Sequence, residues 1–145
     1  MSKEQIAKAG ELIRQNTALG GYKGQYCTLA LIDKDGYPTA STITAAKSEG
    51  IEWVTFCTGL GSNKAERVRA CNRASVCFNA EGGHNITLVG TIEIVTDPAV
   101  KQEMWYDGLQ NHFSGADDPN YCVLRFQTER YNLFVDWQEE VEGRL

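Results

Sequence analysis

A chain of 145 residues with 42% hydrophobic content is the size of one domain and carries enough apolar surface to bury a core. Its net charge of −5 excludes a protein built around nucleic acid, because neutralising phosphates takes a basic face. No apolar run reaches the ~18 residues of a membrane span, and Ser2-Lys3-Glu4-Gln5 is polar where a leader would be apolar, so the expected location is the cytoplasm.

Ser2-Lys3-Glu4-Gln5 has the S-x-x-Q form of a capping box. It predicts an opening helix with Ile6, Ala9, Ile13 and Leu12 on one face, closed by Gly20-Gly21. Tyr26 to Ile32 reads as a strand, Asp33-Lys34-Asp35-Gly36 as a tight turn, and Pro38 to Thr44 as a second strand. Ser48-Glu49-Gly50 reads as another turn, followed by a β-branched and aromatic strand from Ile51 to Cys57. The pattern changes at Gly59-Leu60-Gly61. Ser62 suits a helix N-cap, with Ala65, Val68 and Cys71 or Asn72 on one face behind it.

Ala74 to Asn79 reads as a strand and Glu81-Gly82-Gly83 as a turn. Asn85 to Val95 is then a long strand in which Gly90 marks a bulge or bend. Asp97-Pro98 starts a helix with Val100, Met104 and Trp105 inward, fraying near Gly108. Asn111 to Asn120 reads as an irregular loop. Cys122, Leu124 and Phe126 alternate with a wetter face of Val123, Arg125 and Gln127, Tyr131 to Trp137 is the last strand, and Gln138 to Leu145 is a polar tail. The expected class is mainly β (α+β): six or seven antiparallel strands in a small barrel with about three flanking helices, a single domain over 1–145.

The five cysteines (Cys27, Cys57, Cys71, Cys77, Cys122) are odd in number and lack C-x-x-C spacing. With only His84 and His112 beside them, they read as small buried hydrophobes rather than zinc ligands or a disulfide framework. The informative stretch is Cys57-Thr58-Gly59-Leu60-Gly61-Ser62-Asn63-Lys64. A strand runs into a glycine turn and a helix begins, so unpaired amides and the positive end of the helix dipole meet the Thr58 hydroxyl and the Lys64 ammonium. Those donors suit a phosphate. The plainer account is that Ser62 only caps its helix and Lys64 is solvated. The run lacks the Gly-Lys-Ser/Thr end of a Walker motif, and no parallel βαβ unit surrounds it, so nucleotide hydrolysis is not expected.

Asp33 to Pro38, Phe56 to Lys64, Cys71-Asn72-Arg73-Ala74-Ser75-Val76 and Leu88 to Glu93 occur in that order. Together they resemble the pyridoxamine 5′-phosphate oxidase superfamily of FMN-binding split barrels. The similarity is greatest to its short general stress protein branch, which also has the Asp97-Pro98 start and an aromatic, Gly- and Asp-rich loop like His112 to Pro119. The resemblance implies FMN as cofactor, held between the subunits of a homodimer, and redox chemistry on a small molecule with a reduced nicotinamide, NAD(P)H, or another electron donor. It implies that Ser62 and Lys64 grip the flavin phosphate with Asn63 beside them, and that Cys57 and Thr58 meet the phosphate and ribityl arm. It also implies that Ser41, Thr42, Ile43 and Thr44 lie along the ring, that Asn85 reaches the cofactor across the dimer, and that Trp137 stands near the ring.

Departures from the family pattern narrow the activity. Ser41 stands where the pyridoxamine oxidases carry an arginine, Ala46 where a lysine is expected unless Lys47 compensates, and Asn63 in place of a second basic residue. Oxidation of pyridoxine phosphate is therefore not expected. The alternatives are a non-catalytic flavin buffer or sensor, a split barrel holding haem or a deazaflavin, and a cofactor-free dimerisation module. His84 and His112 read as surface residues or as proton donors near a flavin, and Trp105, Tyr106 and Phe113 as packing or as pocket walls.

Overall fold

The computed structural model describes residues 2–21, 26–79 and 83–145. The Glu81-Gly82 part of the turn read from the sequence lies outside them. Helix α1 spans Ser2–Gln15 and buries Ala9, Gly10 and Ile13; a short 3-10 turn over Ala18–Gly20 follows. The strands are β1 (Cys27–Ile32), β2 (Pro38–Ile43), β3 (Ala45–Glu49), β4 (Trp53–Gly59), β5 (Arg73–Phe78), β6 (Asn85–Val95), β7 (Tyr121–Phe134) and β8 (Val141–Arg144). Helix α2 (Asn63–Ala70) joins β4 to β5, and α3 (Pro98–Met104) follows β6.

All the strand pairings are antiparallel, in the order β2-β1-β5-β6-β7-β4-β3, with β8 added to β7. The edge strands β2 and β3 are consecutive in sequence, separated only by Thr44. A sheet whose two edges are tied by one residue must curl until they meet, and this makes the split half-barrel. Gly90 sits where the β6–β7 register slips, and a Cβ on it would stand 1.9 Å from the Gln127 carbonyl oxygen, so only glycine fits.

Inside the curl, Leu29, Phe56, Val76, Leu88, Ile92, Phe126 and Leu133 form the core, all at most 2% exposed. Ile13 of α1 and Val68 of α2 close it. A second cluster lies on the outer surface. There α3 and the loop after it lay Val100, Met104, Trp105 and Phe113 against Tyr121 and Val123. The Tyr121 ring meets Trp105 at 5.4 Å and Phe113 at 5.3 Å, with the Lys101 ammonium 5.3 Å from its centroid.

Six expectations are corrected. The run from Pro38 is two strands bent at Thr44, and β3 continues through Ser48-Glu49, where a turn was expected. Val123 is fully buried, because α3 covers the face expected to be wet. The two last strands are one, β7, and the tail contains β8, so among the described residues the sheet has eight strands rather than six or seven. Among the described residues no helix is long and apolar enough to cross a membrane.

Candidate functional site

The corner where β4 ends is organised by one hydroxyl pair. Thr58 Oγ1 donates to Ser62 Oγ at 3.0 Å, and Ser62 Oγ also accepts the Ala65 N–H at 3.1 Å as the α2 N-cap. With both acceptor positions of Ser62 filled, its own O–H proton is left to donate outward. The glycine turn is fixed from within. Leu60 N–H donates to the Asn120 backbone carbonyl at 2.7 Å, Gly61 N–H to Asn120 Oδ1 at 3.3 Å, and Ser62 N–H to the Gly59 carbonyl at 3.0 Å. Arg69 bonds the Leu60 carbonyl.

The next two amides, Asn63 and Lys64, have no acceptor among the described residues, as the first turn of a helix dictates. Lys64 is half-buried and no carboxylate lies within 4.0 Å of it among those residues. A hydroxyl proton, two amides and an ammonium that no carboxylate pairs among the described residues suit an oxyanion.

Beside this corner lies a cleft of about 310 Å³. One wall is Ile43 and Thr44 at the barrel hinge with Cys57, Thr58 and Gly59 from β4; the other is Tyr106, Leu109, His112 and Phe113 from the loop after α3. A wall that mixes hydroxyl groups with aliphatic and aromatic side chains, next to an oxyanion corner, suits a planar ring that has polar edges and carries a phosphate arm.

The structure thus brings together Ile43, Thr44, Cys57, Thr58 and, through the hydroxyl bond, Ser62, with Lys64 on the adjoining first turn of α2. Ser41 and Thr42 do not line the cleft. Strand alternation places Ser41 opposite buried Leu29 on the inner side, and Thr42 opposite exposed Thr28 on the outer. Asn63 faces a different groove, shared with Asp33, Lys34, Asp35, Glu66 and Arg67. Lys47 is paired with Glu103 of α3 at 2.8 Å and so does not stand in for the missing lysine at Ala46.

Asn85 and Trp137 form a separate group. Asn85 Oδ1 accepts from Cys77 Sγ at 3.2 Å. Trp137 is 78% exposed, packs edge-on against Phe134 at 5.9 Å, and donates its backbone N–H to the Gly83 carbonyl at 3.2 Å. Registers Ile43↔Cys27 and Phe78↔Ile86 put this group at the same end of the sheet as the hinge, three strand spacings or about 14 Å along it.

Cys57 points its thiol at the Met104 carbonyl (3.5 Å) and the Tyr121 hydroxyl (3.6 Å), and burial pushes its pKa up to about 12. It is a packing group at the cleft's base, not a thiolate nucleophile. The five cysteines are free thiols. The sequence offered Tyr106 and Phe113 as packing or pocket walls and His112 as a surface residue or a proton donor near a flavin, and all three line the cleft; it missed Leu109 and Asn120. The concentration of aromatics with Gly and Asp in that loop was the available signal.

The sequence profile of the pyridoxamine 5′-phosphate oxidase family matches residues 22–134, and the chain belongs to that family. No curated protein matches it in sequence. Among solved structures it is similar to a Clostridium acetobutylicum protein related to general stress protein 26 of Bacillus subtilis, described as of the pyridoxinephosphate oxidase family. That pair has 23% identity and a TM-score of 0.81 over 100% of this chain and 97% of the other. General stress protein 26 of Bacillus anthracis follows at 16% identity and TM-score 0.76, over 99% and 98%. A haem-binding protein of Mycobacterium smegmatis gives 17% and 0.71, over 96% of this chain and 57% of that one. At these identities the likeness is one of fold.

Proposed function

We propose that this chain is a cytoplasmic FMN-binding protein that acts as a homodimer and exchanges electrons between a donor such as reduced nicotinamide and a small molecule. One observation carries this: a donor set at the start of α2, its Lys64 ammonium in no ion pair among the described residues, adjoins a partly aromatic cleft of mixed polarity at the barrel hinge. Bound FMN would supply the redox chemistry. The chain's own part is to bind and orient. Ser62 O–H, the Asn63 and Lys64 amides and the Lys64 ammonium would hold the phosphate, and Ile43, Thr44 and Phe113 would flank the ring.

A cleft of about 310 Å³ is at the small end for enclosing a ligand of this size. A second subunit completes it in this proposal, and exposed Asn85 and Trp137 are the groups placed to reach across. With Ser41 and Ala46 where cations are expected, and Lys47 held by Glu103, pyridoxine phosphate is not the proposed substrate.

The test is the absorbance spectrum of the untreated protein, repeated on Lys64→Ala. Flavin bands in the parent and their loss from the variant are expected. A variant that keeps its flavin as tightly as the parent rejects the phosphate assignment. A colourless protein whose melting temperature ignores micromolar FMN is a cofactor-free module. Reduction by a nicotinamide without turnover marks a flavin buffer rather than an enzyme. The second reading is haem: His112 lines the same cleft and imidazole is an iron ligand, so a Soret band in place of flavin bands selects it.

A further inference from the structure

The outer sheet face that α3 leaves uncovered carries a charge arrangement independent of the hinge cleft. Arg130 of β7 and Arg144 of β8 are register partners on neighbouring strands, and Arg130 also lies opposite Val89 of β6. Arg73 opens β5 opposite Thr91. All three arginines line one groove of about 450 Å³, with Val89 and Gly90 between them. The register slip at Val89/Gly90 bends β6 beneath that groove.

Like charges facing each other across a sheet repel. A chain with 19 acidic and 14 basic residues has carboxylates to spare, yet none is spent here. Among the described residues no carboxylate comes within 4.0 Å of these guanidiniums, and none of them donates a hydrogen bond. Glu129 shares the groove without pairing to them, and Glu142, in the adjoining groove, takes its bond from Asn132 at 3.4 Å.

We propose that this groove binds a small molecule carrying a diphosphate group. Three guanidinium forks against one carboxylate leave positive charge that a single carboxylate ligand would not satisfy. A diphosphate offers enough oxygens for bidentate contact with each fork. The volume is that of a small-molecule site rather than a track for a polymer. Inorganic pyrophosphate and a nucleoside diphosphate share this chemistry.

The test titrates inorganic pyrophosphate and, separately, ADP into the whole protein with FMN in excess, so that the oxyanion corner at the start of α2 is already filled, following the melting temperature against sodium chloride at matched ionic strength. The parent should be stabilised by pyrophosphate beyond the salt control, and Arg130→Gln/Arg144→Gln should bind at least about tenfold more weakly. The double variant without ligand should melt no lower than the parent, since like-charge opposition is relieved. Lys64→Ala should keep the response, which separates this groove from the flavin corner. ADP binding well above pyrophosphate makes the ligand a nucleotide; equal binding makes the diphosphate itself the recognised group. A response matched by sodium chloride, retained in the double variant, or lost in Lys64→Ala overturns the proposal.

Discussion

Asn120 and Gly61 are joined by a 3.3 Å hydrogen bond from the glycine N–H to the side-chain carbonyl, while the Asn120 backbone carbonyl holds Leu60 next door at 2.7 Å. The loop that supplies the aromatic wall therefore also clamps the turn that supplies the donors. Gly59 fits the clamp because a Cβ there would stand 2.8 Å from Asn120 Nδ2. Asn120→Ala removes one bond and leaves the backbone contact. It should cost about 1 kcal/mol and weaken FMN binding roughly fivefold, read by quenching of flavin fluorescence on titration.

Ser62 and Thr58 make separable contributions. Ser62→Ala removes the α2 N-cap and should destabilise by about 1 kcal/mol, or a few degrees in melting temperature for a chain of this size. Thr58→Val keeps the cap but removes the donor that fills the second Ser62 acceptor position. Its effect should fall on FMN affinity, with the melting temperature of the flavin-free protein nearly unchanged. Equal losses of stability in both variants would mean that the hydroxyl pair is only a cap.

Gly90→Ala tests the bulge that lets β6 and β7 bend together. The added methyl meets backbone, the Gln127 carbonyl oxygen at 1.9 Å, which cannot swing aside as a side chain would. A loss of about 2 kcal/mol or more in urea unfolding is expected. A neutral result would show that the bulge migrates.

The bulge was legible because a glycine interrupts the otherwise regular alternation from Asn85 to Val95. The Ser62 and Asp97 caps were legible too, since capping is local chemistry. The bend at Thr44 was not, because no glycine or proline marks it; it is imposed by the two sheet edges meeting there. Nor was β8, four residues held by their ladder to β7. The cleft pairs Thr58 with His112, which lie 54 residues apart, so local pattern could name its residues but not bring them together.

Buried thiols give a pH dependence whose sign is fixed. Burial raises the pKa of Cys27 and of Cys57 from 9.0 to about 12. The unfolded chain thus releases these protons from about pH 9 upward while the folded chain keeps them to about pH 12. Their contribution is complete below pH 9.0 and is lost as pH rises through that window. Melting temperature should fall more steeply between about pH 9 and 11 in the parent than in Cys27→Ala, once the variant's lower starting stability is subtracted. At pH 8 the partly exposed Cys71 should react with a thiol reagent well before Cys27.

Lys47 and Lys64 divide the two ways in which this chain could answer a phosphate. Lys47 is tied to Glu103 across the β3–α3 contact at 2.8 Å, both side chains being about half exposed, and such a pair contributes about 0–1 kcal/mol. Lys64 has no acid beside it and stands next to two unclaimed amides. Lys47→Ala should therefore change FMN affinity by less than about twofold. Lys64→Ala should remove a charge-assisted bond and lower the affinity by about ten- to a hundredfold, with a loss that shrinks as salt is raised. Equilibrium titration of both variants at low and high salt checks the pair. If Lys47→Ala proves the more damaging, the ammonium must leave Glu103 for the ligand, and the phosphate lies on the β3 side of the hinge rather than on α2.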